Sequence, residues 1–196
     1  MIKEESLGEL GFIRSGYNYR TAQELAPGND ANYQALQVNA ITDDARLNWD
    51  NLTPLRFDGN AEQYSLRSGD VLFPLRGSRT LAVEVFDPPK NVLAIGHWAI
   101  FTPDRERVDS TYLVWYWNHP DICKRRGYEL SKGSNIQFIS MQDCKKFKVT
   151  LPTLGKQQQI AKIAELRMQE RELVKKIEVL KDNLIDTVMM QLITNK

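Results

Sequence analysis

VTLPTLGKQQQIAKI, residues 149–163, divides the chain into two kinds of sequence. Ahead of Pro152, short apolar runs alternate with turn signals. Behind it, no proline or glycine occurs from Ile160 to Leu192. Thr153 stands where a helix N-cap belongs, although Lys156 occupies the position at which a Glu or Gln would complete a capping box. Ile163, Leu166, Leu173, Ile177, Leu180 and Leu184 advance at helical spacing. Glu170 fills the seam between Leu166 and Leu173, and Val188 and Leu192 extend it. A helix of about 35 residues would be about 50 Å long. A domain of ordinary size has too little surface to cover it. The stripe therefore favours a second helix, in a dimer or on another protein, over packing back on its own domain. The expected division is a domain over residues 1–152 and a spacer or dimerisation helix over 153–196.

Upstream, the pattern is that of an α+β domain rich in short strands. Residues 33–41 (YQALQVNAI) read as a strand ending in a polar turn at Thr42, Asp43 and Asp44. Residues 64–79 carry a Ser-Gly-Asp turn and then Val71, Leu72 and Phe73. Pro74 interrupts that run, which predicts an edge strand or a bulge. Residues 80–86 (TLAVEVF) alternate with period two, and residues 91–103 form one long apolar run broken by Gly96. Residues 109–119 (DSTYLVWYWNH) have helical spacing, with Asp109 or Ser110 as N-cap. Pro120 restarts the chain at the first position of a short helix, Asp121–Arg126, stopped by Gly127. Residues 135–141 and 146–152 read as closing strands. The irregular order excludes a doubly wound parallel sheet.

Composition bounds the function. The chain is 42% hydrophobic and 26% charged, with four Trp, seven Tyr and seven Phe, enough for a packed core. No apolar run approaches the roughly 20 residues that span a bilayer, and MIKEESLGEL is not a secretory signal. Two cysteines make no disulfide framework, so a cytoplasmic setting is expected. A net charge of +1 argues against bulk attraction to nucleic acid. Locally, Lys124, Arg125, Arg126, Lys132, Lys145, Lys146 and Lys148 outnumber Asp121, Glu129 and Asp143, which by itself describes an ordinary solvated face.

Catalytic signatures are weak. FDPPK (86–90) approaches the Asp-Pro-Pro-aromatic tetrapeptide of amino-methyltransferases, but Lys90 replaces the ring that would stack on a flipped base. A proline turn is the better reading. His97, His119, Cys123 and Cys144 lack the paired spacing of a zinc site and read as structural residues. No phosphate loop, nucleophile elbow or zinc-protease helix occurs. The expectation is a non-catalytic protein without a metal or cofactor. Three loops instead carry recognition chemistry: Tyr17, Tyr19 and Arg20; Arg76, Ser78 and Arg79; and Lys132, Ser134 and Asn135. Arginine reads guanine edges, asparagine reads adenine, and serine and lysine hold phosphates. Surface loops of many proteins contain the same residues.

Three stretches together carry a family resemblance. LGELGFIRSGYNYR (7–20), YSLRSGDVLFPLRGS (64–78) and GSNIQFISMQDCKKFKVTLPTLGKQQQIAKI (133–163) resemble, in order and spacing, the specificity subunit of a type I restriction–modification system. Lys156 departs from a usually acidic position, and Thr153 replaces a frequent second proline. Family members carry two recognition domains and two spacer helices. This chain has one of each and resembles a half-length form. The resemblance implies a domain that reads a half-site of double-stranded DNA, and a spacer helix that pairs as an antiparallel coiled coil. It implies docking of methyltransferase subunits, which use S-adenosylmethionine, and of a restriction subunit. A two-fold homodimer would read a gapped palindrome. The alternative is a regulatory or competitor protein that keeps the fold without productive DNA reading.

Overall fold

The structure, a computed structural model, describes residues 2–18, 30–77, 80–130 and 138–194, with backbone alone over 127–130. The chain runs β1 (Lys3–Ser6), β2 (Gly11–Ser15), β3 (Tyr33–Leu36), β4 (Thr53–Leu55), β5 (Val71–Pro74), β6 (Val83–Glu84), β7 (Val92–Ala94) and β8 (Trp98–Pro103). Then come α1 (Ser110–Asn118), α2 (Pro120–Leu130), α3 (Met141–Lys146), β9 (Lys148–Leu151) and α4 (Leu154–Thr194). The central sheet has the order β2-β8-β5-β6 and is antiparallel throughout. A second sheet, β4-β3-β7, contains one parallel pair, β3 with β7. β1 and β9 pair separately. This is a mixed, sheet-rich domain followed by one long helix.

Period-two alternation explains the central sheet's apolar runs. Val71 and Phe73 of β5, with Ala99 and Phe101 of β8, pack on the side of α1 against Leu113 and Trp117. Leu72, Trp98 and Ile100 point the other way, toward Leu36, Ile41 and Val85. With both faces covered, successive residues are all buried. Pro74 does not mark an edge, since β5 lies between β8 and β6. β6 partners only Val71 and Leu72, so Pro74 pairs with Trp98 where the β6 ladder has already ended.

Other expectations shift locally. The strand at 33–41 stops at Leu36, and a 3-10 turn covers Val38–Ala40. The run 80–86 supplies only the two-residue β6. The run 91–103 splits into β7 and β8 around Gly96, whose φ of 86° suits glycine. α1 starts as expected, with the Asp109 carboxylate accepting from the Tyr112 N–H at 2.8 Å. α2 passes through Gly127 to Leu130 instead of stopping. Of the expected strand 135–141, residues 135–137 lie outside the described residues, and Met141 begins α3. The Ser140 hydroxyl caps that helix, accepting from the Asp143 N–H at 3.0 Å.

A buried ion pair locks the start of β5. Arg14 donates to Asp70 at 2.7 Å, to Thr102 at 2.7 Å and to the Ser65 carbonyl at 2.8 Å. Asp70 also accepts from the Thr102 hydroxyl and the Arg67 N–H. The Gly-Asp of the resemblance motif is thus a structural clamp across β2, β8 and β5.

α4 is rooted by Gln157, which is 1% exposed. Its amide donates to the carbonyls of Arg107 and Pro152, and its oxygen accepts from the Asp109 N–H at 3.0 Å. The Thr153 carbonyl accepts from the N–H groups of Lys156 and Gln157, so Thr153 takes the N-cap position through its backbone. Gln157, Ala161, Ala164, Met168 and Glu172 form the buried or half-buried row facing the domain. At about 100° per residue, the seam of Leu166, Leu173, Ile177, Leu180 and Leu184 lies roughly 160° around the helix from that row. Those five are 49–66% exposed.

Candidate nucleic-acid interface

The ladder register brings the described flanks of the candidate loops to one end of the central sheet. β2 ends at Ser15 beside Ala99, and β5 ends at Pro74 beside Trp98. β8 begins there, just after the turn Ile95–His97. The backbone of Tyr17 exchanges bonds with that turn, donating to the Ala94 carbonyl at 2.8 Å and accepting from the Gly96 N–H at 2.6 Å. On the other side, the Leu75 N–H donates to the His97 carbonyl at 2.8 Å. Arg76 then bridges Phe138, and the Ile139 N–H donates to Leu75. Segments approaching from residues 17, 76 and 138 therefore flank one turn.

Two glycines make this approach possible. A Cβ on Gly16 would lie 3.0 Å from the Gly96 carbonyl oxygen and 3.2 Å from the Trp98 Cβ, so a side chain there would push β2 off the turn. Gly77, with φ of 115°, turns the chain immediately after Arg76 in a conformation that L side chains rarely adopt.

Of the sequence-selected residues, only Tyr17 and Arg76 fall within the described residues. Tyr19, Arg20, Ser78, Arg79, Lys132, Ser134 and Asn135 lie outside them. Tyr17 is half-buried, and its ring packs edge-on against Phe57 at 4.8 Å and Tyr64 at 5.3 Å. Its ring supports the loop that it begins. Arg76 is exposed. His97, which the sequence reading takes as a structural residue, and Phe138, 53% exposed, stand at the same end. No local pattern singles them out, because they are brought together by pairings between distant strands.

Arg126 supports the chain where it leaves this end. Its guanidinium is buried, stacks 4.3 Å over Trp117, and donates to the Trp117 carbonyl at 2.9 Å and the Thr80 carbonyl at 3.2 Å. Burial holds its pKa below the usual arginine range. Its positive charge also complements the C-terminal end of α1.

The other sequence candidates sit elsewhere. The FDPPK segment is a turn at the opposite end of the sheet, with Phe86 exposed and the Asp87 N–H bonded to the Ser68 hydroxyl at 2.9 Å. Cys144 is in the core, where burial pushes its thiol up to about 12. Cys123 donates to the Trp117 carbonyl, and His119 accepts from the Asp121 N–H. Among the described residues, no three His, Cys, Asp or Glu side chains gather as a metal site. No helix among them is long and apolar enough to cross a membrane.

Residues 2–178 match the model of the type I restriction modification DNA specificity domain. The fold is similar to that of the HsdS subunit from Thermoanaerobacter tengcongensis, at TM-score 0.66 and 17% identity, over 96% of this chain and 47% of that one. It is also similar to the S subunit of a type I restriction-modification system from M. genitalium, at TM-score 0.60 and 14% identity, over 98% and 46% of the two chains. A third solved chain, from a study of complex assembly in a type I R-M system, gives TM-score 0.60 at 18% identity over 95% and 43%. The chain spans less than half the length of these structures. No curated protein matches it.

Proposed function

The chain belongs to the type I restriction modification DNA specificity family, and from that premise we propose that it reads a DNA half-site through the turn-bearing end of its central sheet. In this reading residues 1–152 are the recognition domain and residues 153–196 the spacer. The observation that carries the reading is the common origin of the loops at Tyr17, Arg76 and Phe138 beside the Ile95–His97 turn. Arg76, with Tyr19, Arg20, Ser78, Arg79, Lys132, Ser134 and Asn135 from the adjoining segments, supplies base and phosphate contacts. Direct readout then needs only a few side chains in the major groove.

Ile163, Leu166, Leu173, Ile177, Leu180, Leu184 and Val188 of α4 pair with the same residues of a second copy. The seam faces away from its own domain, so a partner helix meets no competing contact. Two copies related by a two-fold axis read a gapped palindrome. The chain performs no chemistry itself. It docks methyltransferase and restriction subunits, which act on the site it selects in the cytoplasm.

Methylome sequencing of cells expressing the chain with its cognate methyltransferase tests this. The expected result is a methylated palindrome with a fixed gap. An asymmetric motif from this chain alone would overturn the homodimer, and no methylated motif with a competent methyltransferase would overturn DNA reading.

A further inference from the structure

α4 meets the rest of the chain through apolar and amide contacts near its start and through charged contacts further on. The first are centred on Gln157 and Ala161 and fade through half-buried Ala164 and Met168. The second lie three to four turns onward from Ala161, about 17–21 Å along the axis. There Arg46 pairs with Glu172, and the Lys175 ammonium lies 3.0 and 3.1 Å from the two carboxylate oxygens of Asp44. Asp44 and Arg46 sit in one tight turn. The Arg46 N–H donates to the Thr42 hydroxyl at 3.1 Å, and Ile41 bridges Leu47 at its base. Glu172 and Lys175, three residues apart, share a helix face. The signs cross-match: each loop charge meets its opposite on the helix.

A rod held at its root alone can swing. From Ala161 to Thr194 the helix extends about 50 Å, so a 10° swing moves its tip by about 9 Å. A second attachment part-way along removes that freedom. We propose that Asp44 and Arg46 clasp Glu172 and Lys175, fixing the direction of α4 relative to the domain. They are positioning residues for the distance between paired domains, a consequence that rests on the homodimer proposed above. The four side chains are 40–64% exposed, so dissolved salt screens both pairs. The direction is therefore tightest at low ionic strength.

Spin labels at exposed Gln63→Cys and Asn183→Cys, in a Cys123→Ser background, read this direction within one chain. Labelled protein is diluted into unlabelled protein so that only intramolecular distances count. Asp44→Lys with Arg46→Glu reverses the loop charges, and Glu172→Lys with Lys175→Glu reverses those of the helix. Neither swap changes net charge. In about 50 mM salt each swap alone broadens the distance distribution by about 10 Å, and the two combined restore the wild-type width. Near 1 M salt all four proteins converge on the broad distribution. Equal widths for all four at low salt, or a combined swap that stays broad, would overturn the clasp. If a swap fails to fold by circular dichroism, the wild type decides alone, because its width must grow between the two salt concentrations. The measurement uses no DNA, so its failure leaves half-site reading standing, and an asymmetric methylation motif leaves the clasp standing.

Discussion

Over its first turns α4 buries Gln157 and Ala161 and half-covers Ile160, Ala164 and Met168; over its last turns Leu184, Val188 and Leu192 stand in water. A glutamine is inside and leucines are outside, the reverse of what side-chain hydropathy favours. Near the root, Pro152 and the 107–109 segment supply partners that satisfy both ends of an amide. Further out, the described residues supply no apolar surface. The distal seam has the composition of an interface, whereas the root has that of a joint.

The sharpest way to break this contrast is to charge the seam. If the proposed homodimer forms at micromolar concentration, Leu173→Asp, Ile177→Asp and Leu180→Asp together should turn it into a monomer in sedimentation. Three buried carboxylates should weaken association at least about a thousandfold, or roughly 4 kcal/mol. The domain's unfolding temperature should hold, because none of the three touches it. A wild type that is monomeric at every concentration would assign the seam to a different partner.

The domain's own buried polar joint should behave oppositely. Asp70→Ala leaves the Arg14 guanidinium, 13% exposed, without its carboxylate. Removing one partner of a buried pair costs about 3–5 kcal/mol. The unfolding midpoint should fall by roughly 10 °C, with association through α4 intact in what remains folded. A loss near zero would show that the clamp is dispensable.

Gln157→Leu probes the root itself. It strands the Asp109 N–H and the Arg107 and Pro152 carbonyls, at about 1–3 kcal/mol for each group left unpaired. Amide exchange should quicken in the first turns of α4 while β5 and β8 keep their protection. Uniform quickening would mean that the joint and the core unfold together. Arg76→Ala should leave stability unchanged and weaken binding to the cognate half-site by about 1–3 kcal/mol. A variant that bound the half-site as tightly as wild type would move readout away from this turn.

The same contrast explains what the sequence made legible. The long helix after Pro152 and the Asp109 cap are local patterns, and both stand at their expected positions. α3 escaped notice because six residues carry too little periodicity, although Ser140 three residues before Asp143 was its signal. Gln157 stood out only as a family match, since its partners at 107 and 109 lie fifty residues away in sequence. The convergence of Tyr17, Arg76 and Phe138 depends on strand register, which no single stretch encodes. Pro74 misled for the same reason: its tolerance is set by where β6 ends.

Glu84 carries the smallest expected effect and tests the polar side of the root. Its carboxylate accepts from the hydroxyls of Ser110 at 2.6 Å and Thr111 at 2.8 Å, at the N-terminal end of α1. Burial raises its pKa, the two hydroxyl donors oppose that rise, and nearby Asp109 and Glu165 add to it. A carboxyl with a raised folded pKa binds its proton more tightly folded than unfolded. Its stabilising contribution is complete below the unfolded value and disappears as pH climbs through the folded one. Glu84→Gln removes that dependence. The variant should therefore gain on the wild type in unfolding temperature as pH rises from about 4 toward neutrality, by less than any loss described above. A gain of the opposite sign would mean that the hydroxyl donors and the α1 dipole outweigh burial. The repulsion from Asp109 and Glu165 would then be outweighed as well.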